Sequence, residues 1–283
     1  METGLTALVT GGSSGIGRGI ATVLAEHGYD IAVTYGENQK GAEETAAQVQ
    51  ALGRKCFVYQ ASLEEPGPPV ECVKRAIYDL GRLTLLVNNA GRTIYHSVLT
   101  LTADEMQYIY GLNFRAYMLA SGEAARHMVR EGIKGSILFI SSTHGVRAYA
   151  YDLMYGSLKA SLNRAAESMA LDLAPYGIRV NCIAPGATSV RAKWKVSGHP
   201  LADAIPLSRL GTPRENGELA AFLASDKCPY ITGVTIKVDG GLVLPGMIEY
   251  SHDSNLVHNQ TDPAWHKHIK DEMDKKFPEV HYD

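Results

Sequence analysis

Short runs of apolar and β-branched residues alternate along the chain with longer stretches whose apolar positions recur at helical spacing. The short runs predict seven strands, at residues 5–10, 30–35, 54–60, 83–89, 135–141, 178–184 and 234–239. The longer stretches predict six helices, at residues 15–28, 39–52, 68–81, 102–131, 151–175 and 213–225. Several strands are apolar at consecutive positions, which is typical of strands covered by helices on both faces. The pattern therefore predicts a doubly wound α/β fold with a seven-stranded parallel sheet.

Composition along the chain predicts how it divides. No break occurs before about residue 245, so residues 1–244 are expected to form one domain. Residues 186–212 connect a strand to a helix, and a connection of that length in a compact domain is usually functional or disordered. Residues 245–283 are expected to form a polar C-terminal extension.

The extension contains five of the ten histidines. His266 and His268 lie close together, but no further ligands follow at a recognised metal-binding spacing, so no metal site is expected. Residues 262–277 match the pattern of one short amphipathic helix with Asp262 as its N-cap. Our hypothesis is that this helix docks at a subunit contact.

Composition excludes several classes of partner. Hydrophobic residues make up 45% of the 283 residues and charged residues 20%, an ordinary balance for a globular protein. The net charge of −3 gives no electrostatic reason to expect nucleic acid or an acidic membrane surface. No apolar run reaches the roughly 18 residues that span a bilayer. No secretory signal precedes the first strand, and the four cysteines form no CxxC pair, so we expect a cytoplasmic protein.

A glycine-rich turn, GGSSGIGRG at 11–19, follows the first strand and leads into a helix. Its glycines permit a tight turn and let backbone N–H groups approach a pyrophosphate at the positive end of the helix. A plain structural turn is the alternative, but the strand–turn–helix context favours a dinucleotide. The spacing is T-G-x-x-x-G-x-G, from Thr10 to Gly17, rather than G-x-G-x-x-G.

Over residues 4 to about 244 the chain resembles the short-chain dehydrogenases/reductases. The motifs that carry the resemblance are TGGSSGIG at 10–17, NNAG at 88–91, Asn113, SS at 141–142, YGSLK at 155–159, IRVNCIAPG at 178–186 and VDGG at 238–241. The resemblance implies a Rossmann-like domain that interconverts a secondary alcohol and a carbonyl by hydride transfer with NAD or NADP. It also implies a homotetramer.

One of three clustered tyrosines is a candidate acid–base group. Of Tyr149, Tyr151 and Tyr155, only Tyr155 has a cation, Lys159, one helical turn later on the same face. A nearby ammonium favours the phenolate and is expected to lower the pKa of the phenol from its usual value near 10. Without the surrounding motifs, a cation resting against an exposed ring would be the preferred interpretation.

The resemblance assigns roles to four residues. It implies that Tyr155 exchanges a proton with the substrate oxygen and that Lys159 lowers the pKa of Tyr155 and binds the nicotinamide ribose. It also implies that Ser142 polarises the carbonyl and that Asn113 holds a water in the proton relay.

The resemblance also implies a set of cofactor contacts along the chain. These residues are Gly11, Ser13, Ser14, Gly15, Ile16, Gly17, Tyr35, Ser62, Leu63, Asn89, Ala90, Gly91, Tyr155, Lys159, Pro185, Gly186 and Thr188. Ser189 competes with Thr188, and Ser62 stands where the family usually has an aspartate against the adenine.

The choice between NAD and NADP depends on the end of the second strand. An acidic residue there would bond the ribose 2′-hydroxyl, but the family position is Tyr35. Glu37 is close in sequence and is interpreted as pointing elsewhere. The prediction leans towards NADP, with dual use open, and Arg18 and Lys40 are candidates to reach a 2′-phosphate.

The substrate is predicted only by class. By resemblance, residues 186–212 are the substrate lid, in which Lys193, Trp194 and Lys195 are candidate contacts, although a solvated surface is the preferred interpretation for all three. The polar lid and the GRTIYHS segment favour a sugar or polyol. A 3-oxoacyl thioester, a hydroxysteroid, and a non-catalytic dinucleotide-binding regulatory subunit remain alternatives. His96 and His144 are candidate pocket residues, although a lone histidine more often has a local structural partner.

Overall fold

A computed structural model describes residues 4–190, 195–244 and Asp271. The strands are β1 Thr6–Val9, β2 Asp30–Tyr35, β3 Cys56–Gln60, β4 Leu85–Asn88, β5 Ser136–Ile140, β6 Arg179–Pro185 and β7 Thr235–Val238. The α-helices are α1 Gly15–Glu26, α2 Gln39–Ala51, α3 Pro68–Leu80, α4 Ala103–Tyr110, α5 Ala116–Arg130, α6 Leu153–Leu173 and α7 Pro213–Ala224. A π-helical turn, Gly111–Arg115, joins α4 to α5, and short 3₁₀ turns occupy Thr143–Gly145, Ala174–Tyr176 and Pro200–Ala204.

All seven strands pair in parallel, in the order β3-β2-β1-β4-β5-β6-β7. The predicted doubly wound fold is confirmed. The chain winds outward in one direction from β1 and in the other from β4, and these two strands are neighbours with Val9 opposite Val87. A crevice opens beyond the carboxyl ends of the strands at such a reversal, which is where this architecture binds ligands.

Both faces of the sheet are buried, which explains the unbroken apolar runs. Ala7 and Val9 of β1 pack with α1 and α7, whereas Leu8 between them packs with α3, α5 and α6. Each fully buried leucine or valine side chain stabilises the fold by about 1.5–3 kcal/mol. The central strands therefore hold the crevice on a rigid base.

Two predicted helices differ in the structure. The single helix predicted at 102–131 is interrupted by the π turn, in which the buried Asn113 side chain bonds the backbone of Arg92. A π turn re-aims side chains within a helix and is frequent at functional sites. The helix predicted from 151 begins at Leu153, because Tyr151 has a left-handed φ of 62°.

Parts of the prediction fall outside the described residues. They include residues 262–277 apart from Asp271, the rest of the extension from 245 onward, and the lid residues Lys193 and Trp194. Among the residues that the structure describes, no helix is long and apolar enough to cross a membrane.

Candidate active site

A cleft of about 810 Å³ lies beyond the carboxyl ends of the central strands. Every predicted cofactor contact except Thr188 lines it, together with the predicted catalytic residues Ser142, Tyr155 and Lys159. Asn113 does not line it. The motifs from five distant segments of the chain therefore converge on one site.

The glycine turn after β1 is shaped for close approach by a ligand. Gly11 and Gly15 have φ values of 66° and 53°, a region that favours glycine. A Cβ on Gly17 would collide with the Gly11 carbonyl oxygen and lie 2.5 Å from Nδ2 of Asn89. Ser14, the N-cap of α1, makes no side-chain cap bond, and the first turn holds no acidic residue. The first N–H groups of α1 thus have no side-chain partner there, which suits a pyrophosphate.

Thr10 and Asn89 join this turn to the end of β4. The Thr10 hydroxyl accepts hydrogen bonds from the backbone N–H groups of Asn89 and Ala90, at 2.8 and 3.0 Å. The Asn89 side chain donates to the carbonyl oxygens of Thr10 and Gly11, at 2.8 and 3.1 Å. The asparagine therefore braces the phosphate turn from the neighbouring strand.

At the opposite end of the cleft, the segment after β2 has an acidic group. Glu37 lines the cleft beside Tyr35, and the direction of its carboxylate relative to the ribose 2′ position stays a prediction. The Arg18 guanidinium donates to the carbonyl oxygens of Ser13 and Gly41 and pairs with Glu44 at 3.0 Å. Arg18 is thus already used to anchor the glycine turn against α2.

The Tyr155 side chain lies among hydroxyl groups. The ring is half-buried, and desolvation raises the pKa of the phenol above its usual value. Hydrogen bonds from the Ser142 and Thr93 side chains oppose this rise, whereas the charge of Asp152 adds to it. Two hydroxyls and a phenol therefore meet at one point in the cleft.

Lys159 lies one helical turn further along α6 and is only 3% exposed. Its Nζ donates to the Ile140 carbonyl oxygen at 2.7 Å and lies 5.5 Å from the centre of the Tyr155 ring. Burial lowers the pKa of Lys159 from 10.5 to about 7. Desolvation is the largest influence on the pKa of both groups in the protein alone, and the lowering of the Tyr155 pKa by Lys159 stays a prediction.

Asn113 and Thr188 lie behind the cleft wall. Asn113 is fully buried, and its side chain accepts from the Arg92 N–H at 2.9 Å and donates to the Arg92 carbonyl at 2.7 Å. It thus holds the loop that carries Thr93. The Thr188 hydroxyl donates to the Gly186 carbonyl at 3.1 Å, and Val190 lines the cleft in its place.

The cleft also contains residues that sequence reasoning did not select. They are Thr34, Gly36, Glu37, Asn38, Gln60, Ala61, Glu64, Arg92, Thr93, Tyr108, Leu112, Ile140, Ser141 and Val190. Most of them flank predicted residues at strand ends, so applying the strand-end rule to whole segments would have found them. Tyr108 and Leu112 carry no such signal. Among the described residues, no cluster of three or more histidine, cysteine or acidic side chains is placed to hold a metal ion.

Comparisons with known proteins agree with this geometry. The family described as enoyl-(acyl carrier protein) reductase matches residues 11–243. The L-rhamnose 1-dehydrogenase (NAD(P)(+)) of a Sphingomonas species is 32% identical over 248 residues, which cover 84% of this chain and 96% of that protein. A 3-oxoacyl-acyl-carrier-protein reductase of Staphylococcus aureus is 34% identical over 247 residues, covering 86% of this chain and 100% of that protein.

A solved structure extends the similarity to three dimensions. The crystal structure of acetoin dehydrogenase from Enterobacter cloacae superimposes with a TM-score of 0.83 at 33% identity, covering 89% of this chain and 100% of the other. The chain therefore belongs to the short-chain dehydrogenase/reductase family, and it is an oxidoreductase that interconverts a secondary alcohol and a carbonyl with a nicotinamide dinucleotide.

Proposed function

We propose that the enzyme acts on a sugar or polyol and that Tyr155 moves the proton. The observation that carries this proposal is the convergence of the Tyr155 phenol with the Ser142 and Thr93 side chains in the dinucleotide cleft. The similarity to a rhamnose dehydrogenase supports the substrate class.

The bound nicotinamide supplies or accepts the hydride, and the protein handles the proton. In the reducing direction, Tyr155 donates its proton to the carbonyl oxygen while the Ser142 hydroxyl donates a hydrogen bond to the same atom. Both groups thereby stabilise the charge that develops on oxygen. In the oxidising direction, Tyr155 accepts the alcohol proton.

Two further residues support this step in our proposal. Lys159 has a single protein acceptor, the Ile140 carbonyl, among the described residues, so its remaining hydrogens suit the ribose hydroxyls. Asn113 fixes the loop that holds Thr93 beside Tyr155, and its assignment to a water relay remains a prediction.

For the cofactor, we propose that both NAD and NADP are used. The absence of an acid at Tyr35 favours NADP, as the sequence suggested. Glu37 in the cleft opposes a 2′-phosphate, and Arg18 is engaged by Glu44. Because these features act in opposite directions, the enzyme is not expected to be strictly selective for NAD or for NADP.

The organisation of the chain is part of the proposal. We propose one catalytic domain over 1–244 with a lid at 186–212, the extension 245–283, and a homotetramer. The family match over 11–243 supports the domain limits. The cysteines are free thiols, which supports a reducing cytoplasm.

A 3-oxoacyl thioester is the second candidate substrate, because the Staphylococcus aureus relative is named for that reaction. We would assay sugars, polyols and an acyl thioester with both cofactors and compare kcat/KM. Higher kcat/KM for the thioester would replace the sugar proposal.

Tyr155→Phe tests the proton role directly. Loss of the phenol should lower kcat by about 100- to 10,000-fold, the usual contribution of general acid–base catalysis, while nicotinamide fluorescence still reports cofactor binding. Undiminished turnover in the variant would refute the role of Tyr155.

A further inference from the structure

His144 and Asp152 form a pair beside the proposed proton donor. The imidazole Nδ1 lies 2.7 Å from Oδ2 of Asp152. The His144 backbone N–H donates to Oγ of Ser142 at 3.2 Å, and the imidazole meets the Tyr155 ring edge-on with centres 5.6 Å apart. The pair is therefore built onto Ser142 and Tyr155, yet the proton transfer described above does not use it.

Asp152 is placed against local preference. It is the N-cap of α6 but makes no side-chain cap bond, although such a bond typically stabilises a helix by about 1 kcal/mol. It is 4% exposed, and its Oδ1 is buried without a hydrogen-bond partner among the residues that the structure describes. The preceding Tyr151 has a φ of 62°, which is strained for an aromatic residue. Local strain and an unpaired carboxylate oxygen are features that cluster at functional sites.

The surroundings leave the carboxylate little freedom to move. A Cβ on Gly156 would lie 2.7 Å from Oδ2 of Asp152 and 3.0 Å from the His144 carbonyl oxygen. The Tyr149 ring stacks on the imidazole with centres 4.2 Å apart. Ring stacking and the carboxylate together fix the orientation of His144.

The free position of the imidazole is Nε2. Asp152 occupies Nδ1, whereas no hydrogen bond to Nε2 is formed within the part of the chain that the structure describes. The His144 side chain is 26% exposed and lies beside Ser142 and Tyr155, although it is not one of the residues that line the 810 Å³ cleft. When Nδ1–H donates to a carboxylate, neutral imidazole presents an acceptor at Nε2, and protonated imidazole presents a donor. A substrate hydroxyl can donate a hydrogen bond to the neutral form and accept one from the protonated form.

We propose that His144, oriented by Asp152, is a specificity-determining residue that hydrogen-bonds a second substrate hydroxyl next to the reacting carbon. This inference rests on the proposed oxidoreduction of a polyhydroxylated substrate and names the group that selects it. A vicinal diol places its reacting hydroxyl at Tyr155 and its second hydroxyl at Nε2 of His144. A simple alcohol leaves Nε2 without a substrate partner, which lowers its relative kcat/KM.

The experiment compares kcat/KM for butane-2,3-diol and butan-2-ol in the full-length enzyme. In His144→Asn, the side-chain amide takes the place of Nδ1 and still donates to Asp152, but nothing replaces Nε2. In His144→Gln, the longer side chain places its amide where Nε2 was. His27→Asn is the matched control, because His27 lies at the end of α1 and pairs with Glu218. Cofactor titration by nicotinamide fluorescence identifies the folded variants.

The expected result is a fall of about 10-fold in the diol-to-alcohol ratio for His144→Asn, mainly through KM of the diol. His144→Gln should retain more of the ratio, and His27→Asn should keep the wild-type ratio. If His144 had a purely structural role, His144→Asn would lower kcat/KM for the diol and for the simple alcohol by the same factor, and their ratio would not change.

Two outcomes separate the claims. An unchanged ratio in folded His144→Asn, or a ratio in His144→Gln no higher than that in His144→Asn, with an active wild type, overturns the role of His144 alone. Absence of wild-type turnover on every alcohol and carbonyl tested, with either cofactor, overturns the proposed function and this inference with it.

Discussion

Lys159→Met is expected to inactivate the enzyme and, at neutral pH, to stabilise it. Lys159 is almost fully buried, and its amine has one described protein acceptor, the Ile140 carbonyl. Burial lowers the pKa of Lys159 to about 7, because the ammonium loses its hydration. Methionine has a similar length and no charge, so the substitution removes the free-energy cost of burying the ammonium group.

The magnitude follows from the pKa change between unfolded and folded chains. With a pKa of 10.5 unfolded and about 7 folded, the lysine lowers the free energy of unfolding at pH 7 by about 4 kcal/mol. Methionine leaves the Ile140 carbonyl without its donor, which costs about 1–3 kcal/mol. Lys159→Met should therefore be more stable than wild type by about 1–3 kcal/mol at pH 7.

The pH dependence has a definite sign. Between about pH 7 and pH 10.5 the unfolded chain binds more protons at this lysine than the folded chain does, so wild-type stability rises with pH. At pH 9 the amount by which Lys159 lowers the free energy of unfolding falls to about 2 kcal/mol. The advantage of the variant should shrink by about 2 kcal/mol between pH 7 and pH 9.

Urea unfolding at pH 7 and pH 9, at equal protein concentration and without cofactor, measures this difference by linear extrapolation. Lys227→Met is the control, because it makes the same substitution at an exposed lysine outside the cleft. A pH-independent difference for Lys159→Met would refute the lowered pKa. Turnover of the variant close to that of wild type would refute the proposed role of Lys159 at the ribose.

Three further predictions concern the cleft. Glu37→Gln removes a negative charge and should raise the NADP-to-NAD ratio of kcat/KM by about 5-fold, whereas an unchanged ratio would show that Glu37 does not face the 2′ position. Gly17→Ala forces a Cβ against the Gly11 carbonyl and should weaken cofactor binding by about 10- to 100-fold in fluorescence titration; wild-type affinity would contradict the geometry of the turn. Asn113→Asp turns an oxygen towards the Arg92 carbonyl and should cost about 2 kcal/mol or more in urea unfolding; no loss of stability would contradict the buried amide bond.

The parts of the site that sequence reasoning found are those with a fixed local spacing. The glycine turn follows one strand directly, and Tyr155 and Lys159 share one face of one helix. The shared strand-end edge then brings Asn89 and Pro185 to the same cleft. None of these steps requires knowledge of side-chain contacts between distant segments.

The parts that it missed depend on how segments meet. Thr93 reaches Tyr155 because the buried Asn113 holds the Arg92 backbone, across a π turn that no periodicity predicted. Val190 rather than Thr188 lines the cleft, since Thr188 bonds back to its own loop.

The sequence by itself determined the alternation of buried strands and helices, the doubly wound sheet and the order of the motifs along it, because hydrophobic periodicity and motif spacing are local properties of the chain. Only the tertiary structure decided the titration of Tyr155 and Lys159 and the pairing of His144 with Asp152. A pKa depends on how much water the packed chain excludes around a group, and a pair such as His144 and Asp152 depends on the path of the backbone between them. Neither quantity can be read from spacing alone.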